Sequence, residues 1–154
     1  MNTTTTLVIA EDNPKDFDFL QRIVAEWSDP CRIERAVNGL VALELALSQE
    51  TPLVVSDIQM PQMNGIDFAK ALWARKPQAR IVFWSQHKDE MYVRSLARIV
   101  PPDTVYGYVL KSNPRERIES AIRTVLFEDQ CWIDPEVRKV QGRAGSSQTS
   151  TRVS

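Results

Sequence analysis

Much that would assign a chain at sight is missing from this sequence. It has two cysteines, Cys31 and Cys131, far apart, and one histidine, His87. There is no CxxC pair and no histidine cluster, so neither a structural zinc site nor a disulfide framework is expected. Two reduced cysteines suit a cytoplasmic protein. An excess of charge of one sign is also lacking, since 19 basic residues meet 20 acidic ones. No strong field therefore steers the chain to nucleic acid or to an anionic membrane. No apolar run approaches the ~18 residues of a membrane span. The threonine-rich start lacks the basic and apolar regions of a signal peptide, and the cytoplasm is the expected compartment.

What is present is a composition of 43% hydrophobic and 25% charged residues over 154 positions, enough for one globular domain with a real core. One stretch organises it. Leu53, Val54, Val55 and Ser56 read as a short buried strand, too short and too β-branched for a helix. Asp57 ends that strand, and an apolar loop closed by Asn64-Gly65 follows. Asp57 thus stands at the carboxyl end of a buried strand, where open α/β sheets bind ligands. The plainer reading is an aspartate that caps a loop.

The rest of the chain repeats the theme. Residues 7–10 form an apolar strand that runs into Glu11 and Asp12. Asn13-Pro14 opens an amphipathic helix over 14–27, with Asn as N-cap and Pro at the first position. A weak, charged strand at 32–37 suits a sheet edge. A helix follows Asn38-Gly39, then the Asp57 strand, then a helix from Gly65. Strand four, 81–84, leads to Ser85, and a helix spans 89–100. Strand five, 105–110, leads to Lys111, and Pro114 starts the last helix. Five strands alternating with five helices predict a doubly wound parallel sheet. After residue 128 the pattern fades. Asp134-Pro135 predicts one more turn through Val140, and 142–154, rich in Ser, Thr and Gly, reads as a flexible tail. The expected division is a domain at 1–128 and a linker-like turn and tail at 129–154.

Parallel strands share one carboxyl edge, so Glu11, Asp12, Asp57, Ser85 and Lys111 converge there. Clustered carboxylates repel and raise their own pKa values. A hard cation relieves that repulsion, and Mg2+ takes such oxygen ligands with water completing its shell. A carboxylate beside Mg2+ can attack a phosphoryl group to give an acyl phosphate. Lys111 and Ser85 suit the phosphoryl oxygens.

On these residues the sequence resembles the receiver domain of two-component response regulators, over roughly residues 6–127. The resemblance rests on Glu11-Asp12, on Asp57 in its Asp-Ile-Gln-Met-Pro-Gln-Met-Asn-Gly setting, on Ser85, and on Tyr108 three residues before Lys111. It implies a flavodoxin-like (βα)5 fold with strand order 2-1-3-4-5. It implies that Asp57 takes a phosphoryl group from a histidine kinase or phosphotransfer protein. Glu11, Asp12, Asp57 and the Gln59 carbonyl would hold Mg2+, Ser85 and Lys111 would bind the phosphoryl group, and Tyr108 would be an aromatic switch on a partner-binding or dimerisation face. The chain would be no enzyme beyond its own phosphorylation and slow dephosphorylation. Residues 106–112 and 131–137 also resemble helix-turn-helix (LuxR/NarL/FixJ-type) regulators. No helix-turn-helix follows, which leaves open a lost output domain or a separated receiver part controlling transcription, and this chain itself is expected to contact no nucleic acid.

The departures define the alternatives. Gln86 stands where the family usually has a small residue, followed by His87, which reads as a solvated loop residue. Ser112 replaces the usual proline, and residues 98–106 form a longer connection than usual. These leave room for a phosphorylation-independent docking domain. A phosphatase of the haloacid type would need a second aspartate where Gln59 stands.

Overall fold

The computed structural model describes residues 4–86 and 90–144. His87 and nearly all of the expected flexible tail lie outside the described residues. The elements are β1 (Thr5–Ala10), α1 (Pro14–Ala25), β2 (Cys31–Ala36), α2 (Gly39–Leu47), β3 (Leu53–Ser56), α3 (Gly65–Arg75), β4 (Arg80–Ser85), α4 (Glu90–Ile99), β5 (Tyr106–Leu110), α5 (Arg115–Phe127), β6 (Trp132–Ile133) and α6 (Pro135–Ala144). All strands pair in parallel, in the order β2-β1-β3-β4-β5-β6. The flavodoxin-like order 2-1-3-4-5 predicted from sequence is therefore present, with one strand added beyond it.

The inner strands are covered on both faces, which is why Leu7-Val8-Ile9 and Ile81-Val82-Phe83-Trp84 are continuous apolar runs rather than alternating ones. Leu7, Ile9, Val55, Val82, Trp84 and Val109 point into the layer closed by α1 and α5. Val8, Val54, Ile81, Phe83 and Tyr108 point into the opposite layer, with residues of α2, α3, α4 and α6. At the carboxyl edge, three asparagines turn strands into helices. The side chain of Asn13 accepts from the backbone of Lys15 and Asp16, that of Asn38 from Val41, and that of Asn64 from Asp67. Each satisfies backbone donors that a helix start leaves open.

Several boundaries shift from expectation. α1 stops at Ala25, and Trp27 turns away so that its indole donates to Glu119 at 2.8 Å. β2 begins at Cys31 and ends at Ala36, leaving Val37 exposed. The larger correction is at the end of the chain. The predicted linker contains β6, whose Trp132 and Ile133 register with Gly107 and Tyr108. A two-residue strand has no readable period, so only its partner strand defines it. The single turn expected after Pro135 runs on as α6 to Ala144. Both cysteines are free thiols, Cys31 half-buried and Cys131 exposed. Among the described residues no helix is long and apolar enough to cross a membrane.

Gly65 fixes the loop after β3. Its amide donates to the Ile58 carbonyl at 2.7 Å, and a Cβ there would lie 2.3 Å from the Asp57 carbonyl oxygen and 2.9 Å from Ile58 Cα. Both are backbone atoms that cannot swing aside. At Gly107 the closest clash, 2.8 Å, is with a Val125 methyl group, which can give. Gly65→Ala should therefore lower the urea midpoint by the equivalent of about 1–3 kcal/mol, as overpacking does. Gly107→Ala should cost less, and equal losses in urea titration would count against this account.

Candidate functional site

The five residues predicted at the strand ends do meet at one edge, but not on equal terms. Glu11, Asp12, Asp57, Gln59 and Lys111 line a crevice of about 210 Å³ together with Asn13, Asp16 and Gln86. Ser85 and Tyr108 are not in its lining, and both side chains are wholly buried. Gln86, exposed one residue further on, lines the crevice beside Asp57.

Lys111 is the hub. Its Nζ lies 2.7 Å from Asp16 Oδ2, 3.0 Å from Glu11 Oε1 and 3.2 Å from Asp57 Oδ2. The ammonium also sits over the Trp84 ring, 4.7 Å from its centroid. Burial by itself would lower the Lys111 pKa, but Asp16, Asp57 and Glu11 together outweigh it and raise it. Lys111 is thus firmly a cation.

Glu11 is fully buried, an unusual place for a carboxylate. Its Oε1 accepts from the Trp84 indole at 3.1 Å as well as from Lys111, and its Oε2 accepts from the Asn13 amide at 3.1 Å. Loss of water pushes its pKa up to about 7, with the nearby Asp57 charge acting in the same direction. Asp57 is oriented from behind. Its Oδ1 accepts from the Ile58 amide at 2.7 Å and the Gln59 amide at 3.4 Å, and its Oδ2 faces Lys111. The Asp57 amide itself donates to the Ala10 carbonyl at 2.9 Å, so the strand end is fixed to β1.

Asp12 is exposed, and its carboxylate completes a group with Glu11 and Asp57 whose ligand atoms all lie within 4.8 Å of one another. Three hard oxygen donors at this separation, one open to water, fit an octahedral cation that keeps part of its water shell. The Gln59 side chain points elsewhere, its amide donating to the Tyr92 hydroxyl of α4 at 2.9 Å.

Sequence reasoning missed Asp16 and Trp84. Asp16 lies in the first turn of α1, where Asn13 caps its amide, and the sequence marks it only as an acidic residue suited to a helix start. Trp84 was read only as a strand residue, yet its indole is a direct partner of Glu11. No pattern in β4 announces that bond, which depends on β1 and β4 flanking β3.

Comparison with known proteins agrees with this geometry. Residues 7–123 match the sequence profile of the response regulator receiver domain. The chain is 26% identical over 131 residues to the transcriptional regulatory protein DegU of Brevibacillus brevis, covering 85% of this chain and 53% of that protein. It thus spans about half the length of the curated relatives it matches. In structure it is similar to a LuxR-family two-component response regulator from Aurantimonas sp. SI85-9A1, with a TM-score of 0.76 at 18% identity, over 94% of this chain and 99% of the other. It is also similar to the receiver domain of the sensor histidine kinase PA1611 from Pseudomonas aeruginosa PAO1, whose structure has a magnesium ion coordinated in the active-site cleft (TM-score 0.66, 13% identity, covering 80% and 98%). With the acidic crevice, the central Asp57 and the Lys111 ammonium at the ends of a 2-1-3-4-5 sheet, the chain belongs to the response regulator receiver domain family.

Proposed function

We propose that this domain is a phosphorylation-controlled signalling module of the cytoplasm, in which Asp57 accepts a phosphoryl group from a histidine kinase or phosphotransfer protein. The observation that carries the reading is the Lys111 ammonium, 3.2 Å from Asp57 Oδ2 within a crevice that also holds Glu11 and Asp12. A carboxylate oxygen of Asp57 forms the new O–P bond as the donor's N–P bond breaks, and the proton needed by the released imidazole comes from solvent. The backbone amides of Ile58 and Gln59 hold the carboxylate in place. Lys111 is already charged and needs only a small shift to meet the phosphoryl oxygens. Bound Mg2+, held by Glu11, Asp12, Asp57 and the Gln59 carbonyl, would supply further positive charge at those oxygens.

The phosphorylated domain passes its state to a partner or a second copy through the face formed by α4, β5 and α5, with Ser85 and Tyr108 as the residues that move. It catalyses nothing beyond its own phosphorylation and slow dephosphorylation. Control of transcription follows if an output domain, as in the longer relatives, acts with it. The competing reading, a docking domain without phosphorylation, draws on Gln86, which lines the crevice where Ser85 does not.

Incubation with Mg2+ and an acyl-phosphate donor should add the mass of one phosphoryl group to the wild-type protein and none to Asp57→Asn, because an amide is a poor nucleophile. Labelling of both would remove Asp57 as acceptor, and labelling of neither would favour the docking domain. A kinase-independent donor also tests Gln86: Gln86→Ala should label faster if that side chain obstructs the entrance.

Metal binding should depend on pH through Glu11. The carboxylate must be ionised to serve as a ligand, and its pKa is pushed up to about 7 in the folded protein. Mg2+ affinity should therefore fall as pH drops below about 7 and level off above it, with proton uptake on metal release. Trp84 fluorescence reports this directly through its bond to Glu11. A flat Mg2+ affinity between pH 6 and pH 8 would overturn the role of Glu11.

A further inference from the structure

Asp134, in the segment where a linker was expected, is with Glu11 one of two buried charged residues among the described residues. Its Oδ2 accepts from the Asn113 side-chain amide at 2.6 Å and from the Leu110 backbone at 3.3 Å. Its Oδ1 accepts from the Glu136 amide at 3.0 Å, in the first turn of α6. Its own amide donates to the Tyr108 carbonyl at 2.8 Å, and its carbonyl accepts from Arg138 at 2.8 Å. A carboxylate shielded from water keeps its place only through such partners.

Two further features hold the segment down. Val137 is fully buried in the same apolar layer as Val93, Leu96 and Tyr108. The bare Gly107 admits β6, for a Cβ there would lie 3.2 Å from the Trp132 carbonyl oxygen. Sheet pairing, a buried carboxylate and an apolar anchor therefore seat residues 132–137 on β5 and α4.

Leu110 and Asn113, the two donors to Asp134 Oδ2, flank Lys111. The Lys111 amide donates to the Ser85 carbonyl at 2.8 Å, and the Asn113 amide and side chain both donate to the Leu110 carbonyl. One tight turn, 110–113, thus carries the ammonium of the crevice on one side and the bonds to Asp134 on the other.

We infer that β6 and α6 form a latch whose docking is coupled to the charge at Asp57 through Asp134 and the 110–113 turn. The source of the charge change rests on the phosphorylation reading above, whereas the coupling itself does not. A phosphoryl group on Asp57 draws Lys111 and Ser85 toward its oxygens. The turn follows, the bonds to Asp134 weaken, and the latch loosens from the edge of β5. By linkage, loosening the latch must in turn alter the affinity of the crevice for its anion.

Hydrogen exchange on the full chain tests this with beryllofluoride and Mg2+ as the phosphoryl mimic. The amides of Asp134 and Arg138 should exchange faster by about 10-fold or more when the mimic binds, while those of Val8 and Ile9 in β1 stay protected. Binding of the mimic, seen as a change in Trp84 fluorescence, without any change at Asp134 and Arg138 would overturn the latch. Failure of the mimic to bind would overturn the phosphorylation reading, and the coupling is then read without it. Asp134→Asn should speed exchange at Arg138 by about 10- to 100-fold, the range for removing a charged acceptor, and should also speed exchange at Lys111 and Asn113. Asn113→Ala, which leaves Asp134 in place, should act in the same direction to a smaller extent. Faster exchange confined to residues 132–138 in both variants would sink the coupling.

Discussion

One ammonium holds the functional edge together. Glu11, Asp16 and Asp57 are brought within a few ångströms of each other by strands and a helix that have no other option, given the parallel order of the sheet. Glu11 has no access to water at all. Without Lys111 their mutual repulsion would be unrelieved in a poorly solvated place, where Coulomb energies are largest. The aromatic face of Trp84 beneath the ammonium adds attraction without adding negative charge. The edge is therefore balanced rather than relaxed: it is stable as it stands, yet any added negative charge at Asp57 changes which partners Lys111 serves best.

The sequence disclosed the frame of this site because strand ends are easy to read. Four short apolar runs, each followed by a chemically distinctive residue, specify both the parallel sheet and the edge at which Glu11, Asp12, Asp57 and Lys111 appear. Asparagine before each of three helices made the turns legible as well. The sequence could not show how deep each residue lies. Ser85 and Lys111 are both strand-terminal in the sequence, yet one is sealed and the other lines the crevice. Ser85 is still within β4, in register with Leu110, whereas Lys111 lies one residue past the end of β5, a difference of one position that depends on the pairing of the two strands.

Long-range bonds were the second illegible class. Asp16 to Lys111, Trp84 to Glu11 and Asp134 to Asn113 each join residues distant in the chain, and each involves a side chain ordinary for its own element. β6 is the same case at the backbone level. Trp132 and Ile133 become a strand only because Gly107 offers room and β5 offers an open edge, so their assignment depends on tertiary context rather than on propensity.

The contact between Gly65 and the Asp57 carbonyl has a mechanical meaning. It seats the first turn of α3 directly on the backbone of the acceptor residue, while Asp57 is also tied to β1 by its own amide. That wall of the crevice is clamped from two sides. The opposite wall, from Ser85 through α4 to the turn after Lys111, reaches the acceptor and its loop through side chains among the described residues: Lys111 Nζ bonds Asp57 Oδ2, and the Gln59 amide bonds the Tyr92 hydroxyl. The crevice is thus built like a vice with one fixed jaw, so a change in charge at its centre displaces the other jaw, and displacement has a direction before any partner arrives.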